Sequence, residues 1–560
     1  MTTISRPPIP PPTAIPRPPP RPPPPLVDVV LVSICIPSLK VIPRSPFTRR
    51  HQPRSASHTT IQPVAATEDT AELSTVVRTA AGVLRGTTEG DVNVWRGIAY
   101  AEQPVGERRF LAPAPLEPWS GVRDAVHHGP LPPQGKSFVG GGRDDPKIRD
   151  EACLTLTVWA PATVPSGGLP VMVWIPGGAF VYGAGQLQLY NGSRLAANGN
   201  VVVVNVTYRL GVFGGFELSD LGRGFDDNLS LRDQLAALEW VRDNIAVFGG
   251  DPGRVTVFGE SAGATSVLAL LASPAARGLF TRAIAQSPAL PLIADRETRA
   301  VQARVFLGRL GVPLDEVRFL PQRALRRAAG QLQGESAART PVLAYGLTHG
   351  VDLLPYHPIE AARVGAVCSA PLIIGTNTHE ASMFAWGKPP MLPTTRDSID
   401  GYFARTAPDA KGRVLGAYPD FPRRRALVAV GSDAMFGAPT WAFADAYSGR
   451  GPTYAYRFDH RTWTLMLLGL GATHGSEIVH IQHSYGSYLG RKLHPLGRRV
   501  QPSVGRRMQR TWLDFATGRL GAEWPLYDVE RRRTRVIRST RDDTVADPDR
   551  VRRSAWEGIY

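Results

Sequence analysis

From about residue 73 the chain alternates short apolar runs with longer amphipathic stretches, the texture of an α/β protein in which buried strands are joined by helices. The segments 170–175 (PVMVWI), 201–206 (VVVVNV), 254–258 (RVTVF), 282–286 (RAIAQ) and 371–374 (PLII) are short, largely β-branched or aliphatic, and mostly bounded by Gly or Pro. They predict buried strands of a large, mostly parallel central sheet. The stretch 230–247 predicts a helix between two of them, and 264–271 predicts another after RVTVF. Longer insertions at 290–370 and 385–450 predict a helical lid and side region.

Upstream the texture is different. Thirteen of the first 25 residues are proline, which leaves few backbone donors for helix or sheet. Residues 1–70 are therefore expected to be a disordered extension, either a polyproline ligand or a plain tail, with 71–535 as the folded unit and 536–560 as a basic C-terminal tail. The apolar run 26–36 is interrupted by Asp28 and follows too long a leader to read as an ordinary signal segment.

Composition narrows the functions. The 560 residues carry 64 Lys+Arg against 48 Asp+Glu, a net charge of +16. The excess sits at the ends: 8 basic and 3 acidic side chains in 1–70, and 17 and 9 in 491–560. The central region is nearly balanced, and only 6 of the basic residues are Lys. No nucleic-acid partner is expected from this distribution. No apolar stretch reaches the roughly 18 residues of a membrane span. Three cysteines, Cys35, Cys153 and Cys368, cannot form a disulfide framework, which suits a cytoplasmic protein while leaving secretion open.

The chemistry begins at Gly259-Glu260-Ser261-Ala262-Gly263, a G-x-S-x-G sequence between a predicted strand and a predicted helix. A serine on so tight a turn exposes its hydroxyl above the sheet, and the helix N-terminus behind it favours developing negative charge. Taken alone the pentapeptide is equally an ordinary turn. An acyl-transfer serine in this context needs an acid and then a histidine downstream. Glu380 in GTNTHEASMF and His474 in GATHGSEI occupy that order.

These elements together resemble a type B carboxylesterase, of the carboxylesterase and cholinesterase family within the α/β hydrolases. The resemblance runs from about 74 to 530 through GIAYAEQPVGERRF (97–110), DEACLTLTVW (150–159), WIPGGAFVYGAG (174–185), VVVVNVTYRLGVFGGF (201–216), NLSLRDQLAALEWVRDNIAVFGGDP (228–252) and FGESAGA (258–264). It implies a cofactor-free serine hydrolase acting on a small-molecule ester, with Ser261 as nucleophile, His474 as base and then acid, and Glu380 orienting the imidazole. It also implies an oxyanion hole from the amides of Gly178, Ala179 and Ala262, and architectural ion pairs Arg109–Glu151 and Arg209–Asp233. Cys153 matches the second cysteine of a disulfide found in many members, but no partner lies in 129–134, so it is expected to be a small buried hydrophobe.

Some features stay open. Glu260 either tunes the site or is a spacer, and Glu477 is expected to be structural. His127 and His128, or His480 and His483, could suggest a metal, but no H-E-x-x-H sequence or carboxylate cluster accompanies them, so no metal is expected and they read as solvated loop residues, with Arg531 to Arg533 a solvent-facing cluster. Amides, carbamates and thioesters use the same machinery, and non-catalytic binding proteins share the fold. Oligomeric state has no signal. A histidine that must be neutral to act as base would lose activity below roughly pH 6.5.

Ala179 stands where the family usually has the third glycine of its run and adds a Cβ beside the scissile ester. Tert-butyl acetate should therefore be hydrolysed far more slowly than n-butyl acetate, and comparable steady-state kinetics on the two would overturn this reading.

Overall fold

The computed structural model describes residues 70–135, 148–339, 344–386, 392–495 and 502–560. The proline-rich segment 1–69 lies outside the described residues. The chain builds one sheet of eleven strands: β1 (Thr87–Glu89), β2 (Val92–Ala99), β3 (Thr155–Pro161), β4 (Leu169–Ile175), β5 (Val202–Thr207), β6 (Gly250–Glu260), β7 (Arg282–Gln286), β8 (Leu372–Asn377), β9 (Thr453–Phe458), β10 (Arg533–Ile537) and β11 (Asp542–Ala546). Their spatial order is β11-β10-β9-β8-β7-β6-β4-β5-β3-β2-β1. The central pairs from β10 to β5 are parallel and the outer ones antiparallel. This is the expected α/β-hydrolase fold with a large, mostly parallel sheet.

The predicted strands fall where the apolar runs lie because a strand covered on both faces has no solvent side to mark by alternation. Every residue of β4 and β5 is buried. Helix α1 (Leu229–Asn244) and α2 (Ala262–Ala272) pack on the sheet, and all eleven residues of α2 are buried, so its apolar character all round follows from its place under the sheet. The first insertion folds as α3 (Arg296–Leu310), α4 (Gln322–Arg339) and α5 (Pro358–Val364). The second gives α6 (Arg396–Thr406), α7 (Arg424–Ser432), a π-helical turn at Asp433–Gly437 and α8 (Ala438–Tyr447). After β9 come α9 (Ile478–Ile481), α10 (Tyr488–Leu493) and α11 (Ser503–Ala516), and α12 (Arg550–Trp556) ends the chain.

The expected basic tail from 536 is corrected. Residues 533–546 supply the last two strands of the sheet, and Trp556 of α12 is buried against Phe403, ring centroids 5.6 Å apart. The arginines that suggested a tail are paired: Arg553 with Asp547 at 2.8 Å, Arg535 with Asp542 at 3.2 Å, Arg552 with Asp433 at 2.9 Å. Likewise Arg532 and Arg533 bond Asp445 and Asp528 instead of facing solvent freely. Two of these partners, Asp433 and Asp445, lie in the second insertion, about a hundred residues upstream, where charge counted along the sequence does not reach; the other three are local.

Cys153 is buried and unbridged, as expected. Arg109 grips Glu151 through two bonds of 2.6 Å. Arg209 grips Asp233 at 2.6 and 2.8 Å and also donates to the Leu111 carbonyl at 2.8 Å, with both partners almost wholly buried. Burial disfavours this guanidinium's charge, and Asp233 more than restores it. Removing one partner strands a charge in the interior, so Arg209→Met should lower stability by about 3–5 kcal/mol in chemical denaturation. The double variant R209M/D233L should lose clearly less, and equal losses would show that packing, not the pair, is being measured.

Candidate active site

Ser261 stands where β6 turns into α2. Its backbone, φ 58° and ψ −124°, lies in a region that costs a non-glycine residue about 1–3 kcal/mol. The surroundings hold it there. Its amide donates to Gln286 O at the end of β7, and its carbonyl accepts from the Thr265 amide inside α2. A Cβ on Gly259 would sit 2.6 Å from the Gly263 backbone, and one on Gly263 would sit 2.0 Å from Ile175 O at the end of β4. Those glycines let three backbone segments meet, and Ser261 is pushed outward as a result.

The oxyanion candidates lie against the serine. A Cβ on Gly177 would come within 3.0 Å of Ser261 Cβ, so the loop after β4 passes directly beside the hydroxyl-bearing carbon. Ala179, at φ 56°, adopts the left-handed region without being glycine. The amides of Gly178 and Ala179 donate to no backbone carbonyl among the described residues. Ala262 opens α2, where the N–H groups of the first turn lack intrahelical acceptors.

Glu380 follows β8 and is almost fully buried. Its Oε1 accepts from the Ser287 hydroxyl and from the Asn377 amide, both at 2.6 Å, and its Oε2 lies 2.6 Å from His474 Nδ1. The carboxylate is thus fixed on three sides with one oxygen aimed at the imidazole. The His474 ring is packed by Phe436, centroid 4.4 Å away, and by Phe384 at 5.4 Å. Its loop is tied to the β8 exit by Asn377 Nδ2 donating to Thr473 O at 2.8 Å.

The other face of the ring does not meet Ser261. His474 Nε2 lies 3.1 Å from Glu260 Oε1 outside hydrogen-bonding geometry, and among the described residues neither atom has a hydrogen-bond partner. The structure therefore brings Glu380 and His474 together, sets Ser261 and the loop after β4 side by side, and leaves the serine and the imidazole unbonded.

Four buried ionisable groups share this space. Loss of solvation lifts the Glu260 carboxyl to about 8, against the opposing pull of His474. Burial likewise lifts Glu477 to about 7, aided by Glu380, while a 2.5 Å bond from Asn377 Nδ2 holds it in place. For His474 burial pushes downward, but Glu260 and then Glu380 pull the imidazole up to about 9. Glu260 is accordingly part of the electrostatics of the site. Glu477 keeps a structural place through Asn377.

Reading the sequence missed Ser287, Asn377, Phe384 and Phe436. Ser287 had a usable signal, since it directly follows a predicted strand next to the serine strand, at the carboxyl edge where α/β sheets bind ligands. Phe436 sits in a π-helical turn, which no local pattern announces. His127 and His128 are exposed as expected, but His480 is fully buried, so its reading as a loop histidine is corrected.

Comparison with known proteins places this geometry. Residues 73–546 match the model of the carboxylesterase family. The chain is 38% identical to the para-nitrobenzyl esterase of Bacillus subtilis (strain 168) over 481 residues, covering 83% of this chain and 95% of that protein. It is 34% identical to a cocaine esterase of Oryctolagus cuniculus over 507 residues, covering 82% and 91%. A solved PNB esterase structure superposes with a TM-score of 0.77 at 36% identity, covering 86% of this chain and 99% of that one.

The carboxylate of Glu260 sets the proton affinity of the imidazole. Followed by NMR of 15N-histidine-labelled protein and assigned with a His474→Gln control, the His474 midpoint should fall by about one pH unit or more in Glu260→Gln. An unmoved midpoint would show that Glu260 is uncharged while the imidazole titrates.

Proposed function

The chain belongs to the carboxylesterase family and is a serine hydrolase of carboxylic esters, and we propose that Ser261, His474 and Glu380 carry out its reaction. The observation that supports this most strongly is the 2.6 Å contact of His474 Nδ1 with a carboxylate that is itself fixed by Ser287 and Asn377. An imidazole so oriented offers only Nε2 to a reactant, and the tautomer with hydrogen on Nδ1 leaves that nitrogen free to accept a proton.

In the proposed reaction His474 Nε2 leaves Glu260 and takes the Ser261 proton as Oγ attacks the ester carbonyl. The carbonyl π-electrons move to oxygen, which the amides of Gly178, Ala179 and Ala262 receive. Each such donor is worth about 10²–10³ in turnover. Collapse of this intermediate expels the alcohol, protonated by His474, and leaves an acyl group on Ser261. Water, deprotonated by the same nitrogen, then releases the acid and restores the serine. Glu380 keeps its contact with Nδ1 throughout and stabilises the imidazolium. Catalytic hydrogen bonds are often loose before substrate is engaged, so the open Ser261 to His474 gap is compatible with this sequence.

The base must be neutral, and the upward shift of His474 moves the acid limb of activity above the pH 6.5 expected from an unperturbed histidine. The substrate in this proposal is a small-molecule carboxylic ester. Among the described residues no helix is long and apolar enough to cross a membrane.

A fluorophosphonate probe should label the wild-type chain and not Ser261→Ala. On a chain-length series of p-nitrophenyl esters the variant should lose at least about 10³ in kcat/KM. Hydrolysis that survives the substitution unchanged would place the nucleophile elsewhere.

A further inference from the structure

The segment between β9 and α11 carries, besides His474, a second group of imidazoles that ester chemistry does not use. His460 lies just past the end of β9, His480 lies in α9, and His494 caps the end of α10, with exposures of 9%, 0% and 4%. One ring nitrogen from each lies within 4.8 Å of those of the other two. The rings pack at centroid distances of 4.9 Å for His460 with His480 and 4.5 Å for His480 with His494, walled by Phe458 and Tyr485.

Two of these rings are anchored through Nδ1. His460 Nδ1 lies 2.8 Å from Ser539 Oγ, and His480 Nδ1 lies 3.0 Å from the Tyr485 hydroxyl. The Nε2 atoms of all three are buried and, among the described residues, have no partner. A buried polar atom left unpaired costs about 1–3 kcal/mol, so three of them on rings packed this closely call for a shared partner. A neutral imidazole whose Nδ1 is anchored to an oxygen presents the Nε2 lone pair in the manner of a metal ligand with its supporting partner.

We propose that His460, His480 and His494 bind one divalent transition-metal cation, with zinc the best match, through their Nε2 atoms. Three imidazoles suit zinc, and a water completes its four-coordinate shell. Bond lengths of about 2.0–2.1 Å bring ligand nitrogens to roughly 3.3 Å from one another, so small side-chain rotations inward from the observed spacing complete the site. The charged group acting on His460 is Arg507, whose guanidinium is engaged by Asp542 at 3.0 Å. The role is structural. The cation would tie the exit of β9 to α9 and α10 and so brace the loop that presents His474, six residues before His480. The site shares no residue with the catalytic proposal and stands without it.

The test uses the full-length, tag-free chain, stripped with chelator and then titrated with zinc. About one zinc per chain should survive gel filtration, zinc should raise the melting temperature, and cobalt in its place should give the intense visible absorption of a four-coordinate ion. His460→Asn and His494→Asn, checked for folding by circular dichroism, should each weaken zinc binding by about tenfold or more, while the exposed His127→Gln should not. The wild-type stoichiometry and cobalt spectrum need no variant. Retention below about 0.1 zinc per chain, an octahedral cobalt spectrum, or equal binding by wild type and both ligand variants would overturn the proposal, leaving a bridging water as the partner of the three nitrogens.

Discussion

Between β6 and α2 the backbone passes so close to the end of β4 that neither residue 259 nor residue 263 has room for a Cβ. That steric limit sets the position of everything else in the site. It forces Ser261 into a strained conformation facing outward, aligns the N-terminus of α2 beneath it, and brings the loop after β4 within contact of the serine carbon. The rest of the sheet exists, in effect, to hold these three backbone segments at one spacing. β4 and β5 are buried along their whole length, and α2 is buried on every face, so the turn cannot relax without opening the core.

Above that turn the dominating physics is desolvated charge. Glu260, Glu380 and Glu477 lie with His474 in a space with almost no solvent. Three carboxylates around one imidazole cannot all remain ionised cheaply, and the arrangement resolves this by unequal hydrogen bonding. Glu380 receives two donors besides the imidazole, Glu477 receives Asn377, and an oxygen of Glu260 is left with only the nearby ring. The group with the fewest donors is one whose proton affinity rises with burial, and it is also the group that lies 3.1 Å from His474 Nε2. Glu260 therefore sets the charge beside His474 Nε2.

The loops that deliver these groups all leave the carboxyl edges of neighbouring strands: Ser261 after β6, Ser287 after β7, Glu380 after β8 and His474 after β9. Parallel strands present their loops on one edge, so residues some hundred positions apart meet without long excursions. The π-helical turn at Asp433–Gly437 adds Phe436 to the same point from the second insertion, and Asp433 in that turn is held by Arg552 of the last helix. The C-terminal arginines are thus part of the scaffold that seats an aromatic ring on the His474 imidazole.

Much of this was legible in the sequence. The strand at 282–286, the helix after Ser261 and the order of serine, acid and histidine follow from apolar runs, turn glycines and motif context, all of which are set by backbone sterics and burial over short windows. The membership of β10 and β11 in the sheet was not legible, because the arginines of 531–541 look like a tail until their aspartate partners are known. Nor was the burial of His480 among other imidazoles, or the 3.1 Å approach of His474 Nε2 to Glu260. Those facts depend on contacts such as Ser287 to Glu380 or Glu380 to His474, 93 and 94 residues apart. Local pattern determined which residues sit at the rim of the sheet and what chemistry they bring. Only tertiary packing decided which of them touch, since in a dry site the direction of each hydrogen bond is fixed by neighbours that chain order does not specify.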